Sequence, residues 1–336
     1  EMLLTGISLA VAAIPEGLPA IVTITLALSV NRILRRGAVI RKLHAVETLG
    51  CAGVICTDKT GTITQNKMTV QRIWVPGRTL NVSGSGYRAQ GAVEENGRPV
   101  QAARDAALGR LCEAASLCTT AHITRAKDVY DVMGDPTEVA VLVAAAKAGV
   151  TKEALLQQYT VIGENPFDAA RKRMSVTVSG PGGVRLLCKG APDMLLARCT
   201  HIETPAGPRL LAPRDRADIN AACARMAGEA LRVLGFAESS TPAVGEEKLC
   251  FLALMGMLAP PRPEVRPAVQ RCREAGIKPV MITGDYKETA LAIARDVGIA
   301  RAGDGVLSGT ELDALSDSEL AARCMRVSVY ARVSPA

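Results

Sequence analysis

Two short segments of the sequence carry side chains from which a phosphoryl-transfer site could be built. The first is Asp58–Thr64 (Asp-Lys-Thr-Gly-Thr-Ile-Thr), and the second is Thr283–Asp285 (Thr-Gly-Asp). A carboxylate such as that of Asp58 can attack phosphorus and form an aspartyl phosphate. The hydroxyl of Thr60 and the neighbouring glycine amides can bind phosphoryl oxygens, and Lys59 adds positive charge. A Mg²⁺ ion would neutralise the charge that develops in such a transfer.

The evidence for a phosphoryl-transfer site comes from the whole segment Asp58–Thr64 and not from the Asp58 carboxylate alone. A single aspartate after a strand could simply cap the next turn, whereas the seven residues of Asp58–Thr64 form a specific motif. The sequence contains no G-x-x-x-x-G-K-[ST] loop, which excludes the familiar P-loop mechanism of nucleotide binding.

Each of the two segments follows a predicted strand. Residues Gly53–Thr57 predict a short buried strand, and Lys278–Ile282 predict a second one. Helical patterns flank the second strand, over Pro263–Ala275 with Gly276 as a stop signal, and over residues 288–297. This alternation implies a parallel sheet, in which ligands bind beyond the carboxyl ends of the strands. We therefore expect both segments to reach the same phosphate.

The roughly 200 residues between the two segments are too many for a loop, so they predict an inserted domain. We place this insert between about Val70 and Leu258. Within it, Arg173–Val178 and Val184–Cys188 alternate around a Gly-Pro-Gly-Gly turn and predict a β-hairpin.

Several side chains of the insert could bind a nucleotide, and each also has an ordinary structural interpretation. The ring of Phe167 could stack on a base or belong to the core. Lys189 could bind the nucleotide, as could Lys172, or Lys189 could be a solvated strand end. Glu138 could complete a capping box begun by Asp135. Arg232 lies in an apolar stretch and could pair with an acid.

The first 34 residues predict a membrane helix. Only Glu16 is charged between Met2 and Val30, and a helix of about 29 residues rises ~44 Å, enough to cross a ~30 Å hydrocarbon core. No basic segment precedes the run, so a secretory signal fits poorly. The arginines that follow it predict that the next residues are cytoplasmic. Because one such helix cannot form a transport path, we expect a piece of a larger membrane protein.

Within this run, the residues Pro15–Pro19 (Pro-Glu-Gly-Leu-Pro) should break the helix. Freed backbone carbonyls together with the Glu16 carboxylate would make a hard-oxygen site suited to Ca²⁺ or a similar cation. The alternative is a proline kink with Glu16 reaching for water.

The composition sets broad limits. The hydrophobic fraction of 48% allows a sizeable core, and the net charge of +7 is scattered without a basic run, which argues against a nucleic-acid partner. Ten cysteines without a C-x-x-C pair, and only three histidines, predict reduced, buried thiols and neither disulfides nor a zinc site.

Taken in order, Pro15–Pro19, Asp58–Thr64, Lys189–Pro192, Thr283–Asp285 and Ala331–Val333 resemble the motifs of the P-type ATPases, essentially from end to end. The chain looks most like the calcium-pump branch, of the sarcoplasmic/endoplasmic-reticulum type, in a prokaryotic version. The resemblance implies an α/β fold: a haloacid-dehalogenase-like (Rossmann-like) phosphorylation domain, interrupted by an α+β nucleotide-binding domain and preceded by one transmembrane helix. The implied ranges are 1–34 for the helix, 35–69 and 259–336 for the phosphorylation domain, and 70–258 for the nucleotide-binding domain.

The resemblance also implies site residues. Asp58 becomes the phosphorylated residue beside Lys59, and Asp58 and Thr60 contribute to Mg²⁺ binding. The residues that contact ATP are Glu138, Phe167, Lys172, Lys189, Arg232, Thr283, Gly284, Asp285 and Arg332. Carbonyls of Val11, Ala12 and Ile14 and the carboxylate of Glu16 become ligands of a transported Ca²⁺ ion, although Mn²⁺ has similar oxygen preferences.

The implied activity is ATP-driven cation transport by an integral protein of the bacterial plasma membrane with cytoplasmic catalytic domains. Membrane lipid, the remaining transmembrane helices and an actuator domain are its implied partners, and we expect the 336 residues alone not to turn over. The alternatives are a soluble phosphatase or phosphotransferase of the haloacid-dehalogenase type and a non-catalytic fragment.

Three departures from the family pattern stand out. Ala259 replaces the usual Asp before Pro260–Arg262, Ala169 stands where many calcium pumps carry an Arg, and the sequence ends at Ala336, before the later Lys and the acidic Mg²⁺-binding loop.

Overall fold

The computed structural model describes residues 2–3, 6, 17–84, 86–87, 90–126, 129–242 and 245–333. The chain divides into two compact units. The first takes Glu1–Ile55 and Cys272–Pro279, and the second takes Cys56–Arg271 and Val280–Ala336. The phosphoryl-transfer segments and the predicted insert all lie in the second unit.

A four-stranded sheet carries both phosphoryl-transfer segments. Its strands are β1 (Val54–Asp58), β15 (Lys278–Thr283), β16 (Gly305–Ser308) and β17 (Val327–Ala331), in the order β1-β15-β17-β16. β17 pairs in parallel with both β15 and β16, so Thr283 and Ser308 both lie opposite Ala331. The predicted parallel sheet is confirmed, with strand ends aligned at one edge.

Strand β1 is where predicted, but the prediction that it is buried is wrong. Val54 and Ile55 keep 42% and 37% of their surface exposed. The reason is topological, because β1 is the outer strand of the described sheet and has a neighbouring strand on one side only. An apolar run of this length does not say whether a strand is central or at an edge.

The two helices predicted around β15 are confirmed. α8 spans Val265–Glu274 before the strand, and α9 spans Lys287–Asp296 after it. Met281, Ile293 and Val329 belong to the apolar core that joins helix and sheet. The burial of this layer holds β15 and β17 parallel and thereby fixes where their carboxyl ends lie.

The predicted insert forms an eleven-stranded sheet. The strands are β2 (Thr69–Val75), β3 (Arg78–Val82), β4 (Val93–Glu95), β5 (Arg98–Pro99), β8 (Thr160–Asp168), β9 (Arg173–Gly180), β10 (Gly183–Gly190), β11 (Cys199–Ile202), β12 (Arg209–Leu210), β13 (Arg232–Ser239) and β14 (Leu249–Leu258). The main path of the sheet runs β5-β4-β3-β2-β14-β13-β10-β9-β8, with β11 beside β14 and β12 beside β11. Neighbouring strands pair antiparallel, except that β11 pairs with β14 in parallel.

The two strands that begin and end the insert along the chain, β2 and β14, are neighbours in the sheet, with Leu258 of β14 opposite Thr69 of β2. The β9–β10 hairpin, closed by Gly180 opposite Gly183, is confirmed. The domain ranges themselves stay predictions.

Helices cover the sheet and give it two apolar cores. Met255 and Met257 of β14 lie in the core with α3 (Ala106–Leu117) and α4 (Pro136–Lys147), whereas Leu254 lies in the core with α6 (Pro192–Leu196) and α7 (Pro213–Gly228). This alternation is the period of two expected of a strand covered on both faces.

Seven further α-helices and strands remain within the described ranges. They are α1 (Leu18–Leu34), α2 (His44–Gly50), β6 (His122–Ala126), β7 (Val129–Met133), α5 (Lys152–Leu156), α10 (Gly309–Asp313) and α11 (Asp317–Arg323).

The membrane helix predicted over residues 1–34 stays a prediction. Within that range α1 has 17 residues, and no helix in the described part of the chain is long and apolar enough to cross a membrane. The predicted cation ligands Val11, Ala12, Ile14 and Glu16 lie outside the described residues.

Two chain segments cross between the sheets in antiparallel fashion. Thr64 forms an isolated bridge with Pro261, and the backbone N–H of Arg262 donates to the carbonyl of Ile63 over 2.8 Å. The Arg262 guanidinium also donates to the carbonyl of Gly61 over 3.0 Å. The segment after Ala259 is thus tied directly to the turn that follows Asp58.

No cysteine of the described residues forms a disulfide bond. The prediction that they are buried holds for Cys112, Cys118, Cys188 and Cys199 but is wrong for Cys51 and Cys56, which are exposed.

Candidate active site

Asp58 ends strand β1 with an extended backbone and an exposed side chain. One carboxylate oxygen, Oδ1, accepts the N–H of Thr60 over 3.3 Å, which orients the carboxylate over the following turn. Gly61 has φ +74° there, a left-handed conformation that glycine adopts without strain. Thr64 closes the turn, since its N–H donates to the carbonyl of Lys59 over 3.0 Å.

Lys59 joins the two sequence segments. Its Nζ lies 2.6 Å from Oδ2 of Asp285, and the side chains are 13% and 30% exposed. The Asp285 loop is itself ordered, because its N–H donates to Oγ1 of the buried Thr283 over 3.2 Å. The structure therefore brings together Asp58–Thr60 and Thr283–Asp285, as the parallel sheet predicted.

A cleft of about 740 Å³ opens beside this contact. Arg232, at the start of β13, lines it together with Lys59, Gly284 and Asp285. In the described part of the chain Arg232 forms no ion pair, so the alternative that it pairs with an acid fails. A guanidinium and an ammonium group on residues that line one cleft suit an anionic ligand. The full lining is Lys59, Met68, Ala227, Gly228, Ala230, Leu231, Arg232, Met257, Leu258, Ala259, Gly284, Asp285, Tyr286, Glu288, Thr289 and Ile293.

Tyr286 is a further residue of the candidate site that the sequence motifs did not indicate. Its ring, 66% exposed, lies 4.6 Å from the guanidinium carbon of Arg332 and lines the cleft. Arg332 has φ +56°, and its N–H donates to the carbonyl of Asp285 over 3.0 Å. The available signal was its position, directly after Thr283–Asp285 and in a chain with only five tyrosines.

Glu138 and Lys189 form a buried ion pair, with Oε1 and Nζ 2.6 Å apart and side chains 12% and 7% exposed. The second oxygen of Glu138 accepts the N–H groups of Thr120 and Ala121, each over 3.0 Å, and the Thr120 hydroxyl over 2.7 Å. Burial acts to raise the pKa of Glu138, but the charge of Lys189 and these hydrogen bonds outweigh it and hold the pKa below its usual value. Glu138 is thus no capping-box residue, and Lys189 is no solvated strand end.

Phe167 and Lys172 are exposed, which excludes the core interpretation of Phe167, whose ring is 64% exposed. Lys172, with φ +51°, accepts through its carbonyl the N–H of Ala191 over 2.9 Å. A Cβ at Gly190 would lie 2.6 Å from that carbonyl, so only glycine permits the approach. Lys172 and the Lys189 segment are therefore adjacent, while neither they nor Phe167 and Glu138 belong to the cleft lining.

The donor set around Asp58 fits a Mg²⁺ ion in part. The exposed carboxylate keeps Oδ2 outside the contact with Thr60, and Mg²⁺ is held in proteins by one or two carboxylates with phosphate oxygens and waters. Among the described residues no three His, Cys, Asp or Glu side chains form a metal cluster.

Comparison with known proteins gives one family and a consistent set of relatives. Residues 107–264 match the family model described as P-type ATPase, cytoplasmic domain N. The whole chain is 45% identical to a calcium-transporting ATPase of Bacillus subtilis and covers 38% of that protein. It is 41% identical to the cation-transporting ATPase pma1 of Synechocystis, of which it also covers 38%.

A third relative comes from an animal. The calcium-transporting ATPase type 2C member 1 of Pongo abelii is 39% identical over the whole chain, which covers 36% of it. The chain thus spans less than two fifths of the length of each of these three relatives.

Proposed function

We propose that the chain belongs to the P-type ATPases and that it is the phosphorylation and nucleotide-binding part of an ATP-driven cation pump. The observation that carries the proposal is the contact of Lys59 with Asp285, which places Asp58 and the Thr-Gly-Asp loop at one edge of the parallel sheet. Relatives that align over the whole chain are named calcium- or cation-transporting ATPases.

In the proposed reaction, an Asp58 carboxylate oxygen attacks the γ-phosphorus of ATP. A bond forms between that oxygen and phosphorus, the bond from phosphorus to the β–γ bridging oxygen breaks, and ADP leaves with the electron pair. Water later attacks the aspartyl phosphate and releases inorganic phosphate, which regenerates the carboxylate. A Mg²⁺ ion, held by Asp58 and Thr60 together with phosphate oxygens, would neutralise charge on the transferred group.

The side chains of the cleft supply positive charge and hydrogen bonds to the phosphates. Lys59, Arg232 and Gly284 line the cleft, and the Gly284 amide would donate to a phosphate oxygen. Charged donors fixed in place before the reaction stabilise developing negative charge without reorganisation. Arg332 is held beside this edge by Tyr286.

The nucleotide base is assigned to the eleven-stranded sheet. Phe167 offers an exposed aromatic face on which a base can stack. Lys172 lies in the turn between β8 and β9, and Lys189 lies on the adjacent β10 and pairs with Glu138 of α4. These side chains would bind the remaining polar groups.

The transported ion in this proposal is Ca²⁺, with Mn²⁺ as the competing cation of similar preference. Its ligands would be carbonyls of Val11, Ala12 and Ile14 and the Glu16 carboxylate. The complete protein would then lie in a bacterial plasma membrane with these domains in the cytoplasm. Its partners would be lipid, further transmembrane helices and an actuator domain.

The test uses the protein expressed from its complete gene, in membranes, incubated with ATP labelled at the γ-phosphate. We expect a hydroxylamine-sensitive phosphoprotein that appears with Ca²⁺ and disappears in Asp58→Asn. Asp313→Asn, at an exposed aspartate at the end of α10, is the matched control and should label as the parent does.

Label that persists in Asp58→Asn would refute the assigned nucleophile. Labelling that depends on Mn²⁺ and not on Ca²⁺ would refute the ion, and labelling indifferent to any cation would favour a phosphatase or phosphotransferase.

A further inference from the structure

The exposed ring of Phe167 sits on an irregular part of strand β8. In the pairing of β8 with β9, Asn165 lies opposite Ser175 and Asp168 lies opposite Arg173, so the register shifts between these pairs. Two residues of β8, Pro166 and Phe167, therefore stand against a single residue of β9. Such bulges re-aim side chains and occur next to functional sites, but they also forfeit ladder hydrogen bonds that would hold the backbone.

Arg171 replaces the lost ladder contacts. Its Nη2 donates to the carbonyl of Pro166 over 2.6 Å and to Oδ1 of Asn165 over 3.1 Å. The turn that leads to Arg171 is held by Asp168, because its Oδ1 accepts the N–H groups of Ala170 and Arg171 over 3.0 and 2.7 Å. One guanidinium thus ties the residues just before Phe167 to the turn that follows the bulge.

Glu246 in turn holds Arg171. Nη1 of Arg171 lies 2.7 and 2.8 Å from the two oxygens of the Glu246 carboxylate. The same carboxylate accepts Nε of Arg173 over 2.5 Å, the hydroxyl of Ser175 over 2.8 Å and the amide of Asn165 over 3.2 Å.

This carboxylate is 10% exposed and carries one negative charge between two guanidinium groups. Because each of its contacts lies on the bulge, the turn or strand β9, removing it would release all three. The neighbouring Glu247 differs in kind, since its partner Arg198 lies away from the bulge and its own side chain is 57% exposed.

We propose that Glu246 and Arg171 are positioning residues for nucleotide recognition, because they fix the bulge that presents the ring of Phe167 to the base. The inference rests on the proposed nucleotide-binding function. The contribution is one of preorganisation: a ring already held in the stacking orientation loses less freedom on binding than one on a loose bulge.

The experiment compares two probes, ATP and inorganic tripolyphosphate, on variants of the protein expressed from its complete gene. Loosening the ring should forfeit part of the affinity that the base–aromatic stack supplies. We expect Glu246→Gln and Arg171→Lys each to weaken ATP binding about three- to tenfold. Tripolyphosphate, which lacks the base, should bind as it does to the parent.

Glu247→Gln is the matched control, as the same change at the adjacent residue, and should leave both dissociation constants unaltered. In a Phe167→Leu background, Glu246→Gln should produce no further loss, because the ring that it positions is gone. Thermal melting of each variant checks that it folds.

Equal weakening of ATP and tripolyphosphate by Glu246→Gln would overturn the inference in favour of general destabilisation. So would full additivity of Glu246→Gln with Phe167→Leu. If Phe167→Leu itself leaves ATP binding unchanged, the stacking role in the proposed function fails. If Phe167→Leu weakens ATP and Glu246→Gln does not, only the positioning role fails.

Discussion

The ammonium of Lys59 lies 2.6 Å from the carboxylate of Asp285, although 226 residues separate the two in sequence. The contact links the turn after β1 to the loop after β15, and both partners line the cleft. In the proposed function Lys59 has two roles: it neutralises the Asp285 carboxylate beside the proposed phosphate site, and it offers positive charge to the phosphates.

Lys59→Met should slow formation of the phosphoprotein by about tenfold or more, because Asp285 is then an uncompensated charge where phosphate must approach. The measurement is the initial rate of label transfer from ATP. Lys287→Met is the control, since it breaks an exposed pair with Glu311 just outside the cleft lining. A Lys59→Met protein that labels at the parental rate would remove Lys59 from the mechanism.

The buried pair of Glu138 and Lys189 should be costly to break from one side. Lys189→Met leaves the Glu138 carboxylate without its cation and should lower the free energy of unfolding of this part of the chain by about 2–4 kcal/mol. The double variant Glu138→Gln/Lys189→Met should recover part of that loss in urea titrations. The exposed pair of Arg198 and Glu247 is the comparison, and Arg198→Met should change stability by less than about 1 kcal/mol.

The same pair predicts a pH dependence. The folded pKa of Glu138 lies below its reference of 4.5, so its contribution to stability is present above pH 4.5 and is lost as pH falls towards the folded pKa. Stability measured on descending pH should therefore fall less steeply in Glu138→Gln than in the parent. An unchanged slope would show that the carboxylate has the same pKa in both states.

The ring of Tyr286 should hold Arg332 in place for the nucleotide. Tyr286→Ala removes a cation–π contact worth about 0.5–1 kcal/mol at an exposed site and should weaken ATP binding about two- to fivefold. Tyr286→Phe keeps the ring and should bind as the parent does. Equal losses in the two variants would instead point to the phenol hydroxyl.

The exposed cysteines should react with a thiol reagent much faster than the buried ones. Burial raises the pKa of Cys112, Cys118 and Cys199 to about 12, so these thiols are both inaccessible and protonated near neutral pH. Cys51 and Cys56 are exposed. Peptide mapping after brief treatment with a maleimide should find label on Cys51 and Cys56 before any appears on the three buried thiols. Early label on Cys112 would contradict the packing of α3.

Local patterns in the sequence were enough to predict the two segments with phosphoryl-transfer side chains and the strands and helices beside them. The string Asp58–Thr64, the loop Thr283–Asp285 and the strand and helix patterns beside them depend on neighbouring residues only, and the structure reproduces the strands β1 and β15 and the helices α8 and α9. The hairpin of β9 and β10 was also predictable from the sequence, because alternating apolar and polar side chains and a glycine-rich turn are local signals.

The tertiary structure decided what depends on distant partners. Whether β1 is central or outer depends on which strands join the sheet, and the apolar run could not show that it lies exposed at an edge. Glu138 could be a cap or a ligand from sequence, and its partner Lys189 is 51 residues away. No sequence motif indicated a role for Tyr286, Arg171 or Glu246. Their stacking and shared hydrogen bonds arise only when the folded chain brings separate segments into contact.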